Sequence, residues 1–346
     1  MHGQEAFGYT KIMPSVQKKR GWKDIQSKKQ IAKKTKWALI VLAAILGLLI
    51  VGQTFKFAKN LFSPWQLPKT QKNFNWNSQF NINILIKAKQ ISMLSFNPQN
   101  QKITIIDIPD NTYIEVPKGF GYWIASSILD LGGNQLLTET MENQFALPID
   151  GFLGFSGKYA QSQAASIVSE IRTNPFSIIS MLPAIKTDLT PFELIRLKLG
   201  FSSVRFDKVK QINLEEADIL LKKELLDGTK VLILDTVRLD SILNDMIDPL
   251  IQSEHKTIAI FNSTDHPGLA QKAARLITNI GGDVIITSNG QNKFQTTRVT
   301  GEKSKTLERL KQIFGAGGTI DPQLEDLVSS RAQINLFLGE DYNSEQ

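Results

Sequence analysis

Residues 103–117 read ITIIDIPDNTYIEVP. Runs rich in β-branched residues on both sides of Pro109-Asp110-Asn111 mark two strands joined at a polar turn. Asp110, Asn111 and Thr112 stand where a sheet could present chemistry, yet side chains of these types also close ordinary surface turns on their own backbone. Asp107 and Glu115 are the carboxylates that could pair with Asp110. Upstream, FNINILIKAK (80–89) and QISMLSFNP (90–98) read as two more strands, and Asn97-Pro98-Gln99-Asn100 turns the chain into KITIIDIP (102–109). With NTYIEV (111–116) continuing as an alternating strand, the succession predicts an antiparallel meander.

Downstream the period changes. GFGYWIASSILDLGG (119–133) has helical spacing at Trp123, Ile124, Ile128 and Leu131, with Gly132-Gly133 as its stop. NQLLTETMENQFALPIDG predicts a further helix ending before Leu147-Pro148. TDLTPFELIRLKLGF (187–201) is the clearest local signal: Thr190 as cap, Pro191 in the first turn, Glu193 completing a capping box and Gly200 at C′. Leu194, Ile195, Leu197 and Leu199 supply its apolar face. Val231–Leu234 follows the Asp227-Gly228 turn as a strand, and RLDSILNDMIDPLI (238–251) predicts a connecting helix that ends near Pro249.

Residues 255–341 repeat strand and helix signals in the order β-α-β-β-α-β, a split βαβ arrangement. HKTIAIFN (255–262) is a strand, LAQKAARLITNI a helix, DVIITS (283–288) and KFQTTRV (293–299) strands, SKTLERLKQIFG a helix and AQINLFLGEDY the closing strand. Asn262, Ser263 and Thr264, with the amides of the helix opening near Gly268, form a candidate anion-binding turn. The competing reading is a strand-to-helix turn whose polar side chains satisfy its own backbone.

The whole chain has 346 residues, a net charge of +7 and a pI near 9.3. It has no cysteine, which excludes disulfides, thiolate zinc sites and a Cys nucleophile. With only His2, His255 and His266 as imidazoles, a His-rich metal site is disfavoured, and no GxSxG elbow accompanies them. The positive charge is concentrated over residues 11–36, where Lys11, Lys18, Lys19, Arg20, Lys23, Lys28, Lys29, Lys33, Lys34 and Lys36 are opposed only by Asp24. Trp37–Phe55, WALIVLAAILGLLIVGQTF, follows without a charge. A helix rising about 1.5 Å per residue needs roughly 20 such residues to cross a bilayer core. The long tail before it and the exit through GQTFKFAKN argue for an uncleaved span over a signal peptide. The lysines predict a cytoplasmic N-terminus and contact with anionic lipid, with nucleic acid disfavoured. Everything from about residue 56 then lies outside the cell membrane.

Read together, NINILI, ISMLSFNPQNQKITIIDIPDNTYIEVP, the Gly-rich segment with its helix, and QFALPIDGFLGFSG resemble the LytR-CpsA-Psr envelope proteins. The resemblance spans about residues 80–212. It implies an extracytoplasmic α/β (α+β) domain behind one span, in a family whose enzymes move glycopolymers from polyprenyl-pyrophosphate carriers to the cell wall. IFNSTDHPGLAQKAARLI and NLFLGEDY resemble that family's LytR C-terminal domain, for which envelope binding is the expected role. The organisation expected is a basic tail (1–36), a transmembrane helix (37–55), a linker (56–79), a degenerate LytR-CpsA-Psr-like domain (80–212), a connector (213–253) and a LytR C-terminal-like domain (255–341).

The chain departs from the family at the positions that carry its reaction. Lys89 stands near where the resemblance places a metal-holding aspartate. Asp110 and Asn111 replace the arginine and aspartate of Ile-Pro-Arg-Asp-Thr. Arg172, Arg196 and Arg205 are scattered and do not form the later arginine clamp. A pyrophosphate needs arginine forks or a carboxylate-held metal, so Asp110 adds repulsion to the anion and Lys89 to the cation. The expected activity is therefore non-catalytic: recognition, scaffolding or regulation in envelope polymer assembly, with a glycopolymer or an envelope protein as partner and no cofactor. Two alternatives remain open. One is a divergent glycopolymer phosphotransferase, which would need Mg²⁺; the other is a membrane-tethered regulator acting through its basic tail.

Overall fold

Strands β1 (Ile82–Lys87), β2 (Ile91–Asn97) and β3 (Lys102–Ile108) pair antiparallel, with Ile82 opposite Phe96 and Ile91 opposite Ile108. The computed structural model describes Leu67, residues 75–316 and residues 330–344. The basic tail and apolar span expected over 1–36 and 37–55 lie outside the described residues. Among the described residues no helix is long and apolar enough to cross a membrane. The described residues belong to one compact unit.

The three strands are apolar almost throughout because both faces of their sheet are covered. Period-two alternation sends Ile82, Ile84, Ile86, Leu94 and Phe96 to one core and Leu85, Ile91, Met93, Ile106 and Ile108 to the other. The meander ends at Pro109, which has no N–H to extend the ladder. Strand β4 (Thr112–Val116) therefore leaves for a second sheet instead of continuing the first as expected. It pairs there with β5 (Gly121–Ile124), stacking Tyr122 on Tyr113. The helix expected from residue 119 accordingly begins only at Ala125. This helix, α1 (Ala125–Phe145), is broken where anticipated: Gly132 and Gly133 have non-helical backbone, and the chain resumes its helix behind them.

Strand β6 (Gly151–Phe155) returns parallel to β1. Helices α2 (Ala164–Thr173) and α3 (Ser177–Met181) precede β7 (Ile185–Thr187), which pairs with β6. Helix α4 (Pro191–Ser203) opens with the predicted box: Glu193 N–H donates to Thr190 Oγ1 at 3.2 Å, and Thr190 N–H to the Glu193 carboxylate at 2.8 Å. Two expectations for this helix fail. Gly200 is interior rather than C′, and it lacks a side chain for packing reasons: a Cβ there would stand 2.6 Å from the ring of fully buried Phe96. Gly200→Ala is expected to destabilise the unit by about 1–3 kcal/mol despite alanine's higher helix propensity, as urea denaturation would show. The apolar face also divides, since Leu194 and Leu197 are buried but Ile195 and Leu199 point to solvent.

Strand β8 (Val209–Asn213) joins β3 in parallel and completes the first sheet in the order β7-β6-β1-β2-β3-β8. Strands β9 (Leu220–Glu224) and β10 (Lys230–Leu234) complete the second, β5-β4-β10-β9. The single helix expected over 238–251 is two, α5 (Thr236–Leu243) and α6 (Pro249–Glu254). Pro249 starts the second rather than ending the first, because its missing N–H is no loss in a first turn, and Asp248 caps that turn through Leu250 N–H.

The C-terminal portion follows the expected order: β11 (Thr257–Asn262), α7 (Leu269–Asn279), β12 (Asp283–Asn289), β13 (Arg298–Gly301), α8 (Lys305–Ile313), β14 (Ile334–Leu338) and a last short helix α9 (Glu340–Ser344). Its sheet runs β12-β11-β14-β13, with β11 parallel to both neighbours. The strand expected over 293–299 shrinks to β13, because Phe294 N–H bonds Ser263 O and Thr297 N–H bonds Asp341, which hold the preceding loop off the sheet. One hydrophobic core runs from Leu85 and Met141 through Leu243 to Ile258 and Leu338, so the third sheet shares the interior of the first.

Candidate functional site

Strands β1, β3, β6 and β8 all end at one edge of the first sheet, and carboxyl ends of such strands are where open α/β sheets place ligands. Lys87 of β1 and Lys186 of β7 flank Gly154 of β6 in register there. Asp110 extends from the end of β3 with its carboxylate 4.0 Å from Lys87 Nζ and its side chain 54% exposed. Lys89 is exposed in the β1–β2 turn, and its backbone N–H donates to Ser162 O.

The PDNT turn itself is closed by local bonds. Thr112 donates to Pro109 O from both its N–H, at 3.0 Å, and its hydroxyl, at 2.7 Å. Asp110 O accepts from Ser126 N–H at the start of α1, and Asn111 O accepts from Leu232 N–H of β10. The turn thus welds the first sheet to the second. Asp107 lies beneath it, buried, and its carboxylate accepts from the Ser92 hydroxyl and the Gln211 amide. Glu115 accepts from the Tyr122 hydroxyl, and its charge raises that phenol above its usual range. The three carboxylates therefore serve separate partners and share none. Among the described residues, no three Asp, Glu or His side chains gather into a cation site.

The arginines are engaged elsewhere as well. Arg196 donates to Trp76 O and lies over Phe192, Arg205 pairs with Asp207 at 3.1 Å, and Arg172 donates to Val204 O. Arg172 also covers the Phe206 ring at 5.4 Å, on the wall of a cavity of about 200 Å³ between α2 and β8. The strand ends present the ammonium groups of Lys87, Lys89 and Lys186, the first already facing a carboxylate. That arrangement can meet one phosphate weakly; it has no fork for a pyrophosphate.

In the third sheet, Asn262 Oδ1 accepts from Thr264 N–H and hydroxyl, and Asn262 Nδ2 donates to His266 O at 2.7 Å. Ser263 is buried with its hydroxyl 2.4 Å from where a Cβ on Gly290 would stand, and Gly268 takes φ +87° at the start of α7. Asn262, Thr264 and Gly268 therefore build the strand-to-helix turn from within.

A cluster that sequence reasoning missed lies between the first and third sheets. Arg309 of α8 donates to both carboxylate oxygens of Asp150 at 3.1 Å, with side chains 3% and 1% exposed. It also reaches Asn81 O and covers Phe80. Asp248 accepts from Asn81 N–H nearby; burial raises its carboxyl above the usual range, against the pull of backbone bonds and the Arg309 charge. Arg275 of α7 forms a second tie, bidentate to Asp240 and donating to Gln144 O at the end of α1. No local pattern in KTLERLKQI distinguishes Arg309 from a solvated helix charge.

Residues 256–342 match the family described as LytR cell envelope-related transcriptional attenuator. No curated protein matches the sequence. Among solved structures, TagT of Bacillus subtilis is 14% identical with a TM-score of 0.38, over 52% of this chain and 98% of that one. The LytR-CPS2A-psr family protein YwtF (TagT), with bound octaprenyl pyrophosphate lipid, is 14% identical with a TM-score of 0.37, over 53% and 98%. TagV of Bacillus subtilis is 13% identical with a TM-score of 0.38, over 48% and 96%. The third sheet with its helices, opening on IFNSTDHPGLA, thus carries the LytR C-terminal domain that its sequence resembled.

Proposed function

We propose that this chain is a single-pass cell-envelope protein with an extracytoplasmic body, acting by recognition, scaffolding or regulation of envelope polymer assembly and not by phosphoryl transfer. The carrying observation is the Asp110 carboxylate beside Lys87 at the strand ends, where the resembling enzymes keep an arginine. Phosphoryl-transfer sites work chiefly by positioning and by stabilising negative charge, and a carboxylate at that point opposes both. The LytR C-terminal domain, the apolar run 37–55 and the basic tail support the placement at the envelope.

A divergent phosphotransferase is the second reading, favoured by Lys87 and Lys186 on either side of Gly154. Titration calorimetry with a short-chain polyprenyl pyrophosphate, with and without Mg²⁺, separates the two. No Mg²⁺-dependent binding is expected for the natural chain. Asp110→Arg is expected to strengthen pyrophosphate binding about tenfold, by removing one repulsive charge and adding a fork. Mg²⁺-dependent micromolar binding by the natural chain would favour the transferase.

A further inference from the structure

We infer that the outer faces of α3 and α4, with the turn at Phe206–Lys208, form a surface that lies on an anionic lipid bilayer. The inference rests on the reading of residues 37–55 as a membrane span. Phe176, Ile179, Leu199 and Phe206 are 70%, 67%, 67% and 79% exposed, and Ile195 stands one turn from Leu199. Among the described residues, no element buries these large apolar side chains.

The elements are contiguous. Helix α3 packs on α2 and α4. Lys198 Nζ bonds the carbonyls of Ile171 and Arg172 at the end of α2, and Arg172 covers Phe206. Exposed Arg205 and Lys208 border the apolar centre beside Phe206, with Asp207 paired to Arg205. Apolar side chains within a basic margin match a headgroup boundary with anionic lipid, where aromatic and aliphatic groups enter and cations stay at the phosphates.

The tether selects a bilayer over other occupants. Leu67 N–H donates to Thr187 O at 3.1 Å, so the linker is held at the end of β7, directly between α3 and α4 in sequence. The twelve residues from Phe55 to Leu67 reach at most about 40 Å. The bilayer entered by the span is therefore held within reach of this face, at the high local concentration of a short tether.

The absence of cysteine makes single-site labelling direct. Leu199→Cys, Phe206→Cys and, as a control on the third sheet, Ile285→Cys carry an environment-sensitive dye in full-length protein reconstituted into vesicles. Nitroxide-labelled lipid is expected to quench the dyes at 199 and 206, but not at 285, in vesicles with one-third phosphatidylglycerol. Arg205→Glu with Lys208→Glu is expected to lower docked occupancy roughly tenfold. Dyes at 199 and 206 that stay in water, in a chain that resists alkaline carbonate extraction, would overturn the docking face alone. Release by carbonate would overturn the span reading and the inference with it. Burial at 199 that depends on protein concentration and not on lipid charge would assign the face to a second copy and likewise overturn the proposal.

Discussion

Replacing Arg309 by alanine is expected to lower the unfolding free energy by about 3–5 kcal/mol, the range for breaking a buried ion pair from one side. The guanidinium is the only described side-chain cation within bonding distance of the Asp150 carboxylate, both groups are almost wholly buried, and Asn81 O is a third acceptor. Truncation leaves the Asp150 charge with backbone donors such as Asn83 N–H. Urea denaturation at neutral pH measures the loss, and a change below about 1 kcal/mol would contradict the arrangement.

The loss is also expected to depend on pH. Asp248 has a folded-state pKa raised above its usual 3.8 by burial, and the Arg309 charge restrains that rise. A carboxyl raised on folding favours the folded state most below its unfolded pKa, and that contribution is lost as pH rises through the folded value. Without Arg309 the folded value moves further up. The penalty should therefore be largest at neutral pH and shrink in acid as Asp248 takes its proton.

Phe96→Ala is the second large effect, expected at about 3–5 kcal/mol. Phe96 is fully buried, meets Trp76 and Phe201 edge-on at 6.0 and 5.2 Å, and lies against Gly200. Its removal opens a cavity bounded by β1, α4 and the Trp76 segment, whose tie to Glu193 keeps it from collapsing inward. Phe96→Leu should recover part of the loss, because it refills most of the volume without the edge contacts. A Phe96→Ala variant within about 1 kcal/mol of the natural chain would show that the site repacks freely.

Much of the fold was legible locally. The TPFE box, the β-α-β-β-α-β order after residue 255 and the break at Gly132-Gly133 depend on residues a few positions apart, and the structure has all three. The misreadings share one cause. Gly200 looked like a helix end because its neighbour Phe96 comes from a distant strand. Ile195 and Leu199 looked like core because helical period shows an apolar stripe without showing how wide the covering partner is. NTYIEV looked like a fourth meander strand because an edge does not advertise which sheet it joins.

The site divides the same way. The polar turn at Asp110 and Asn111 is written in the residue types, as is the turn at Asn262–Thr264. That Lys87 faces Asp110, that Lys186 shares its row, and that Arg309 joins the third sheet to the first came only from packing. Local bonds and periodicities are encoded over a turn or two of chain. Charge pairing across sheets is set by which backbones the shared core brings together, and no short stretch carries that information.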